Sequence, residues 1–306
     1  MKKKNSNINH NNSIDDFFLN KVILEKNQKI IKNEYLKIKK KLDIKDNIFH
    51  TFSKNYELNL NIKNIRKFKK FVIVGMGGST LGAKSIYSFL EHKIKKKFFF
   101  LDNLDENKIN EVNKEKQFYI FISKSGNTIE TLVNINLLKF NISRNNSIII
   151  SEKKENSLNE LSKKLDIKLV EHNKYVGGRY SVFSEVAMVP AYLMGLNIKK
   201  FKTNILDIFF KKEKIKNLIN ISSKVANLYL EKKINSLIIF NYSPQLNNFA
   251  YWCQQLLAES LGKKGMGMLP VISPAPQDHH SLLQLYLDGP KNKIFYILSS
   301  KSLYNL

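Results

Sequence analysis

The sequence predicts an α/β fold built from doubly wound parallel sheets. Short, continuous apolar runs recur at FVIVG (71–75), FYIFI (118–122) and SIIIS (147–151), and segments with helical spacing separate them. Strands that are apolar on both faces and alternate with helices are typical of parallel sheets covered on both sides. The 306 residues, 43% of them hydrophobic, are enough for two such units with packed cores.

The first half of the chain contains a predicted tail, a helix and one complete α/β unit. Residues 1–16 read as a flexible polar tail, and a lysine-rich amphipathic helix is predicted at 20–42. Strands are predicted at 71–75, 98–101, 118–122 and 147–151, with helices at 80–91, 128–140, 155–165 and 181–194.

The second half repeats the pattern on a smaller scale. A lysine-rich helical stretch at 199–234 leads to strands at 236–241, 268–273 and 294–298, with helices at 246–261 and 280–287. A sheet of three strands is small, so we expect the second unit to be incomplete. The predicted boundaries are 1–65 for the N-terminal segment, 66–198 for the first α/β domain and 199–306 for the second, truncated one.

The net charge of +25 raises the question of nucleic-acid binding. Only Arg66, Arg144 and Arg179 are arginines, and the lysines are spread along the whole chain. Proteins that bind nucleic acids favour arginine, so a solvated lysine surface is the preferred interpretation of the charge. The positive electrostatic field of the protein should still attract an anionic substrate. No apolar run is long enough to span a bilayer, and the single cysteine, Cys253, allows no internal disulfide, which predicts a reducing cytoplasm.

Two polar loops follow predicted strands. Gly75-Met76-Gly77-Gly78-Ser79 permits a tight turn and close approach of backbone N–H groups to an anion. Ser123-Lys124-Ser125-Gly126-Asn127-Thr128 offers hydroxyl donors at the start of a helix. Each has an ordinary alternative, a ligand-free turn or a helix cap. Because both loops end strands of one sheet, together they favour a phosphomonoester site.

Three further segments carry candidate chemical groups. Arg179 follows two glycines and could stabilise an oxyanion, or serve a structural role. Gln255 and Glu259 share one side of a predicted helix, where an ordinary solvent-facing glutamate is the alternative. His279 and His280 are adjacent, lack the spacing of a helical metal pair and suit proton transfer or capping.

In this order, the segments resemble the glucose-6-phosphate isomerase family. The matching stretches are VGMGGSTLGA (74–83), ISKSGNTIET (122–131), VGGRYSVFS (176–184), QQLLAESLGK (254–263) and QDHHSLLQLYLDG (277–289). The resemblance implies two sugar-isomerase (SIS) type α/β domains with parallel sheets. It also implies interconversion of glucose 6-phosphate and fructose 6-phosphate through a cis-enediol(ate), in glycolysis and gluconeogenesis, without metal or cofactor.

The resemblance also implies residue roles. Glu259 matches the base that moves the proton between C1 and C2, and Arg179 the arginine that stabilises the enediolate. His280 matches the histidine that assists ring opening at the neighbouring subunit's site, which implies a homodimer. We assign sugar and phosphate binding to eight further positions of these segments: Gly78, Ser79, Ser123, Lys124, Ser125, Thr128, Gly178 and Gln255.

The family continues beyond the position of Leu306 with a helix that carries a ring-opening lysine, so we expect a shortened member. Two other hypotheses remain. One is a non-catalytic sugar-phosphate-binding module or inactive fragment. The other is a nucleic-acid-binding protein, which rests on charge alone.

Overall fold

The computed structural model describes residues 13–53, 55–58, 65, 67–113, 117–138 and 142–300, with the backbone only at 204, 207 and 208. Most of the predicted tail, residues 1–12, lies outside the described residues. The predicted helix at 20–42 is confirmed as α1 (Lys21–Lys41), which begins at the N-cap Asn20. The predicted class is also confirmed, because the described part contains two parallel sheets flanked by helices.

The first sheet has five parallel strands in the order β2-β1-β3-β4-β5. They are β1 (Lys70–Val74), β2 (Lys97–Leu101), β3 (Phe118–Ile122), β4 (Ser147–Ser151) and β5 (Lys168–Glu171). The chain passes from β1 to one neighbour, β2, and then crosses to the other side of β1 to form β3. Open α/β sheets bind ligands at such a reversal of strand order, beyond the carboxyl ends of the two strands.

Helices cover both faces of this sheet: α2 (Gly78–Leu90), α3 (Glu106–Val112), α4 (Ile129–Leu137), α5 (Ser157–Lys164) and α6 (Glu185–Leu193). The fully buried strand β3 shows how the core divides. Phe118, Ile120 and Ile122 join the hydrophobic cluster that contains residues of α2 and α6. Tyr119 and Phe121 join the opposite cluster, with residues of α3, α4 and α5. A strand apolar on both faces is therefore buried on both faces.

The predicted helix at 181–194 is wrong in its first part. Residues Gly178–Phe183 form a 3-10 helix, and α6 begins only after Ser184, whose hydroxyl accepts a hydrogen bond from the Val186 N–H. The helical stretch at 199–234 is confirmed as two helices, α7 (Ile198–Phe210) and α8 (Lys212–Leu230).

The second sheet has three parallel strands in the order β7-β6-β8. These strands are β6 (Ser236–Asn241), β7 (Leu269–Pro274) and β8 (Lys293–Leu298), and their helices are α9 (Asn247–Leu261) and α10 (Leu283–Asp288). The helix predicted at 280–287 therefore begins three residues late, after a 3-10 turn at Gln277–His279. Within the described residues, β8 is an edge strand with Phe295, Tyr296 and Ile297 exposed.

The two units meet along α2 and α9. The side-chain amide of Asn248 on α9 donates a hydrogen bond to the Ser88 hydroxyl on α2. This packing sets the carboxyl-terminal half of α9 against the loop that precedes α2. None of the helices in the described ranges has both the length and the apolar character of a bilayer span.

Candidate active site

The glycine loop after β1 packs directly against the loop that carries Arg179. Gly77 adopts a positive φ of 51° as the N-cap of α2. A Cβ at Gly78 would lie 2.4 Å from the carbonyl carbon and oxygen of Gly178 and 2.7 Å from the Arg179 nitrogen. Glycine is therefore needed here so that the two backbones can approach each other. The Ser181 hydroxyl also joins the two loops, because its Oγ lies 2.6 Å from the Gly178 carbonyl oxygen and 3.1 Å from the Gly78 carbonyl oxygen.

Three hydroxyl groups cluster in the loop after β3. The Ser123 Oγ lies 2.8 Å from the Thr128 Oγ1, and the Ser125 Oγ lies 3.4 Å from each of them. Backbone N–H groups of Gly126 and Asn127 donate to Ser123 and Ser125 respectively. These hydroxyls can rotate their hydrogens toward an anion, which suits them to phosphate oxygens.

The alternative that Thr128 merely caps α4 is not what the geometry shows. Thr128 occupies the N-cap position, but its side chain makes no capping hydrogen bond. Its hydroxyl instead joins those of Ser123 and Ser125. The first-turn N–H groups of α4 therefore lack the side-chain acceptor that usually satisfies one of them.

The two loops lie side by side at the β1/β3 reversal. A Cβ at Gly75 would lie 2.6 Å from the Ile122 carbonyl oxygen and 3.0 Å from the Ser79 Cβ. Ser79 is therefore close to the end of β3, where the hydroxyl cluster begins. The glycine loop and the serine-threonine loop are therefore neighbours at this edge of the sheet, as their positions after β1 and β3 predicted.

Lys124 lies in the second loop, but its ammonium group is engaged elsewhere. It forms an ion pair with Glu152 at 3.2 Å and donates to the Lys174 carbonyl at 2.8 Å. Burial would raise the pKa of Glu152, but Lys154 and Lys124 outweigh that effect and lower it. In these contacts the Lys124 side chain ties the loop to the segment that leads to Arg179, and its predicted role in substrate binding stays a prediction.

Arg179 and Glu259 form an ion pair, although 80 positions separate them in sequence. The Arg179 Nη1 donates to the Glu259 Oε2 at 3.0 Å, and the Gln255 Nε2 donates to the Glu259 Oε1 at 2.7 Å. The indole N–H of Trp252 donates to the Arg179 carbonyl at 2.9 Å. One face of α9 thus fixes both the arginine loop and the carboxylate.

Gln255 connects this pair to the glycine loop. A Cβ at Gly77 would lie 3.0 Å from the Gln255 Nε2. The Gln255 Oε1 is buried, and the described structure contains no hydrogen-bond partner for it. A buried acceptor without a partner is costly, so this oxygen is suited to a hydroxyl of a bound ligand.

Two residues that sequence reasoning missed complete the surroundings of Arg179. The Arg179 Nε donates to the Ser260 Oγ at 3.0 Å, and the Tyr180 hydroxyl lies 2.7 Å from that oxygen. The guanidinium carbon lies 4.6 Å from the centre of the Tyr180 ring. Their only sequence signal was adjacency, since Ser260 follows Glu259 and Tyr180 follows Arg179.

His280 is not joined to this group. It is exposed, and no contact among the described residues links its ring to Arg179 or Glu259. The neighbouring His279 is the better-held ring, with its Nε2 2.9 Å from the Tyr242 hydroxyl. Across the described ranges, no group of three or more histidine, cysteine, aspartate or glutamate side chains is placed to hold a metal ion.

Known proteins resemble the chain over most of its length. The sequence profile of the family described as Phosphoglucose isomerase matches residues 27–268. The chain belongs to the phosphoglucose isomerase family. A glucose-6-phosphate isomerase of Methanocaldococcus jannaschii is 34% identical over 257 residues, which cover 80% of this chain and 64% of that protein. One of Campylobacter jejuni is 33% identical over 252 residues, covering 76% and 61%.

Solved structures agree on the fold. A hypothetical protein from Thermus thermophilus has a TM-score of 0.71 at 23% identity, covering 90% of this chain and 71% of that one. A glucose-6-phosphate isomerase from Chlamydia trachomatis has a TM-score of 0.56 at 21% identity, covering 84% and 51%. The fold is the sugar-isomerase type, with a smaller second sheet.

The similarity to the phosphoglucose isomerase family covers only part of the relatives and only part of this chain. The chain spans about three fifths of the length of the curated relatives it matches. The profile match ends at residue 268, so it includes Arg179, Gln255 and Glu259 but not His280.

Proposed function

We propose that the chain is an aldose–ketose isomerase that interconverts glucose 6-phosphate and fructose 6-phosphate. The main support for this proposal is that the Arg179–Glu259 pair and the cluster of three hydroxyl groups both lie next to the same glycine loop. Relatives named glucose-6-phosphate isomerase support the choice of substrate. A phosphate at the cluster anchors one end of the sugar and turns that binding energy into positioning of the other end.

The reaction needs a base and a countercharge. Glu259 removes the proton from the carbon next to the carbonyl, and the electrons of that C–H bond form a C1–C2 double bond while the carbonyl oxygen becomes negative. Arg179 stays charged throughout and stabilises that oxygen. The hydroxyl proton on the neighbouring carbon moves to the negative oxygen, which leaves the negative charge on the other oxygen. Glu259 then returns its proton to the former carbonyl carbon, and the carbonyl reforms at the other position.

The ligand-free contacts fit this scheme. Nearly half of the Glu259 side chain is exposed, whereas Arg179 is largely covered. The Glu259 carboxylate is therefore accessible to a substrate, while the Arg179 guanidinium beside it is already held in place. The unpartnered oxygen of Gln255 lies beside it and is available to a sugar hydroxyl.

Turnover of fructose 6-phosphate by wild type and Glu259→Gln tests the proposal. We expect the substitution to lower kcat by several orders of magnitude, each tenfold being about 1.36 kcal/mol of barrier. Glu25→Gln, at an exposed position on α1, is the matched control and should keep wild-type kcat. In D2O, the wild-type product should gain deuterium at the carbon that receives the proton. Unchanged kcat in Glu259→Gln would show that the base is wrongly assigned.

We also propose a homodimer in which His280 assists ring opening at the partner's site. Its exposed position and lack of contact with Glu259 within the described subunit support an action in trans. We further propose that the reaction serves glycolysis and gluconeogenesis in the cytoplasm, where a lone cysteine stays reduced.

Mixing two inactive variants tests the dimer. His280→Gln and Glu259→Gln subunits, unfolded and refolded together, should recover roughly a quarter of wild-type activity, because half of the random dimers are mixed and each has one complete site. A histidine acting within its own subunit would give no recovery. Sedimentation of each variant as a dimer is the control.

A further inference from the structure

The Arg179 guanidinium is held by three side chains, and only one of them is the carboxylate. Nη1 donates to the Glu259 Oε2 and Nε to the Ser260 Oγ, each at 3.0 Å. The Tyr180 ring lies 4.6 Å from the guanidinium carbon, and its hydroxyl is 2.7 Å from the Ser260 Oγ. Tyr180 and Ser260 therefore form one unit that binds the arginine on the side away from the carboxylate contact.

Proton transfer changes these contacts unequally. When Glu259 accepts the substrate proton it becomes neutral, and its bond to Arg179 loses the charge that makes such contacts strong. At the same moment the substrate oxygen becomes negative and needs the guanidinium most. An arginine positioned by Glu259 alone would lose its main constraint at that step.

We propose that Ser260 and Tyr180 are positioning residues that hold the Arg179 guanidinium in place while Glu259 carries the substrate proton. This inference rests on the proposed function. Neither hydroxyl exchanges a proton with the substrate in that scheme. The bond from Nε to Ser260, and the bond between Ser260 and Tyr180 that supports it, are therefore the same before and after the transfer.

The electrostatics of the three residues agree with this geometry. The pKa of Arg179 is raised, first by the neighbouring Tyr180 side chain, and further by Glu259 against some desolvation. Burial would raise the pKa of Tyr180, but its hydrogen bond with Ser260 and the nearby charges of Arg179 and Lys263 lower it. The Trp252 bond to the Arg179 carbonyl fixes the backbone of the same residue. Backbone and side chain are thus anchored to α9 separately.

Calorimetry with two ligands tests the proposal without requiring turnover. One is a five-carbon aldonate 5-phosphate, whose planar carboxylate imitates the enediolate, and the other is the matching alditol phosphate with a neutral end. Both are titrated into wild type, Ser260→Ala, Glu259→Gln and the double variant. Glutamine at 259 reproduces the neutral, proton-carrying state of the base.

We expect Ser260→Ala to weaken aldonate binding on the order of tenfold in the Glu259→Gln background, and less in wild type, where the ion pair still holds the arginine. Alditol binding should be unchanged in all four proteins. Tyr180→Phe should act in the same direction as Ser260→Ala, and Ser260→Thr, which keeps the hydroxyl, should restore the affinity. Tyr251→Phe, an exposed position on α9, is the control and should match wild type.

Each remaining outcome is decisive. Equal aldonate losses in the two backgrounds, or no loss, would overturn the positioning role while leaving the isomerase proposal intact. Failure of wild type to bind either ligand would overturn the proposed function, and this inference with it.

Discussion

Gly78 and Gly178 lie against each other where the glycine loop meets the arginine loop, yet they differ in what a side chain would meet. A Cβ at Gly78 would overlap the Gly178 carbonyl at 2.4 Å, whereas a Cβ at Gly178 would have nothing within 4 Å. Because the neighbour of Gly78 is backbone, it cannot rotate away. One glycine is therefore a requirement of packing, and the other is not.

Gly78→Ala should separate the two loops. We expect the free energy of unfolding to fall by about 1–3 kcal/mol, as for other overpacked sites, and the Ser181 bond to the Gly78 carbonyl to be lost. Gly178→Ala is the matched comparison and should unfold like wild type. Urea denaturation of both variants measures the difference, and equal midpoints would contradict it.

Sequence reasoning located the polar loops where chemistry and strand position coincide. Ser123, Ser125 and Thr128 follow a buried strand, so the rule for parallel sheets placed them beside the glycine loop, where the structure has them. Lys124 lies in the same run, but its direction depends on Glu152, which belongs to the next strand-to-helix connection. The contact of Ser260 with Arg179 joins two different units and could not be derived from spacing.

At the scale of elements, α6 and α7 are joined by a buried polar network. The Tyr56 hydroxyl donates to the Glu185 Oε2 at 2.8 Å, and the Lys202 ammonium lies 4.5 Å from the centre of the Tyr56 ring. Lys202 also donates to the Thr51 carbonyl at 3.0 Å. Burial lowers the pKa of Lys202 to about 8, although Glu185 opposes this.

This lowered pKa predicts a pH dependence of stability. Between about 8 and the ordinary lysine value of 10.5, the folded chain binds fewer protons than the unfolded chain. The contribution of Lys202 to the free energy of unfolding therefore rises with pH across that window, and its penalty is fully present below it. Lys202→Met should flatten the slope, measured by urea unfolding at several pH values. Lys200→Met, an exposed lysine on α7, should keep the wild-type slope, and a wild-type slope in Lys202→Met would refute the assignment.

Elements with a strong apolar pattern were predictable, and elements with a weak pattern were not. The central strands β1, β3 and β4 are continuous apolar runs, so their own sequences predict them and the tertiary contacts agree. The edge strand β5, with the sequence KLVE, has a charged residue at each end and was not predicted. Neither was the seven-residue helix α3, whose first turn is stabilised by the Asp105 cap. Such elements depend on their neighbours more than on their own pattern.

For the molecule as a whole, the net charge of +25 should act on substrate capture. Screening shortens the reach of surface charges from ~30 Å at 0.01 M salt to ~3 Å at 1 M. We expect KM for fructose 6-phosphate to rise with added salt while kcat changes little, since the guanidinium and carboxylate are at contact distance. Steady-state kinetics across a NaCl series measures both, and a KM independent of salt would exclude a role for the overall charge.

The second sheet leaves an apolar edge exposed within the described residues. Phe295 and Ile297 share one face of β8 and are 39% and 63% exposed. Leu298 points to the other face, where it packs with Ile239 and Ala250. An exposed apolar edge strand favours association with other chains.

Ile297→Lys should therefore reduce self-association without a loss of stability beyond ~0.5 kcal/mol, as for most surface substitutions. Leu298→Lys is the contrasting variant and should destabilise the second unit, because it buries a charge in a packed cluster. Light scattering and urea unfolding measure the two effects. Unaltered scattering by Ile297→Lys would mean that this edge does not drive association.

Trp252 is the only tryptophan of the chain, and its indole N–H is bonded to the carbonyl of the arginine proposed to face the substrate. Indole emission depends on the polarity and hydrogen bonding around that N–H group. The tryptophan fluorescence of the unlabelled protein therefore reports on one location, the contact between α9 and the arginine loop. Movement of the arginine loop away from α9 would change the wavelength or the intensity of the emission maximum, without any added dye.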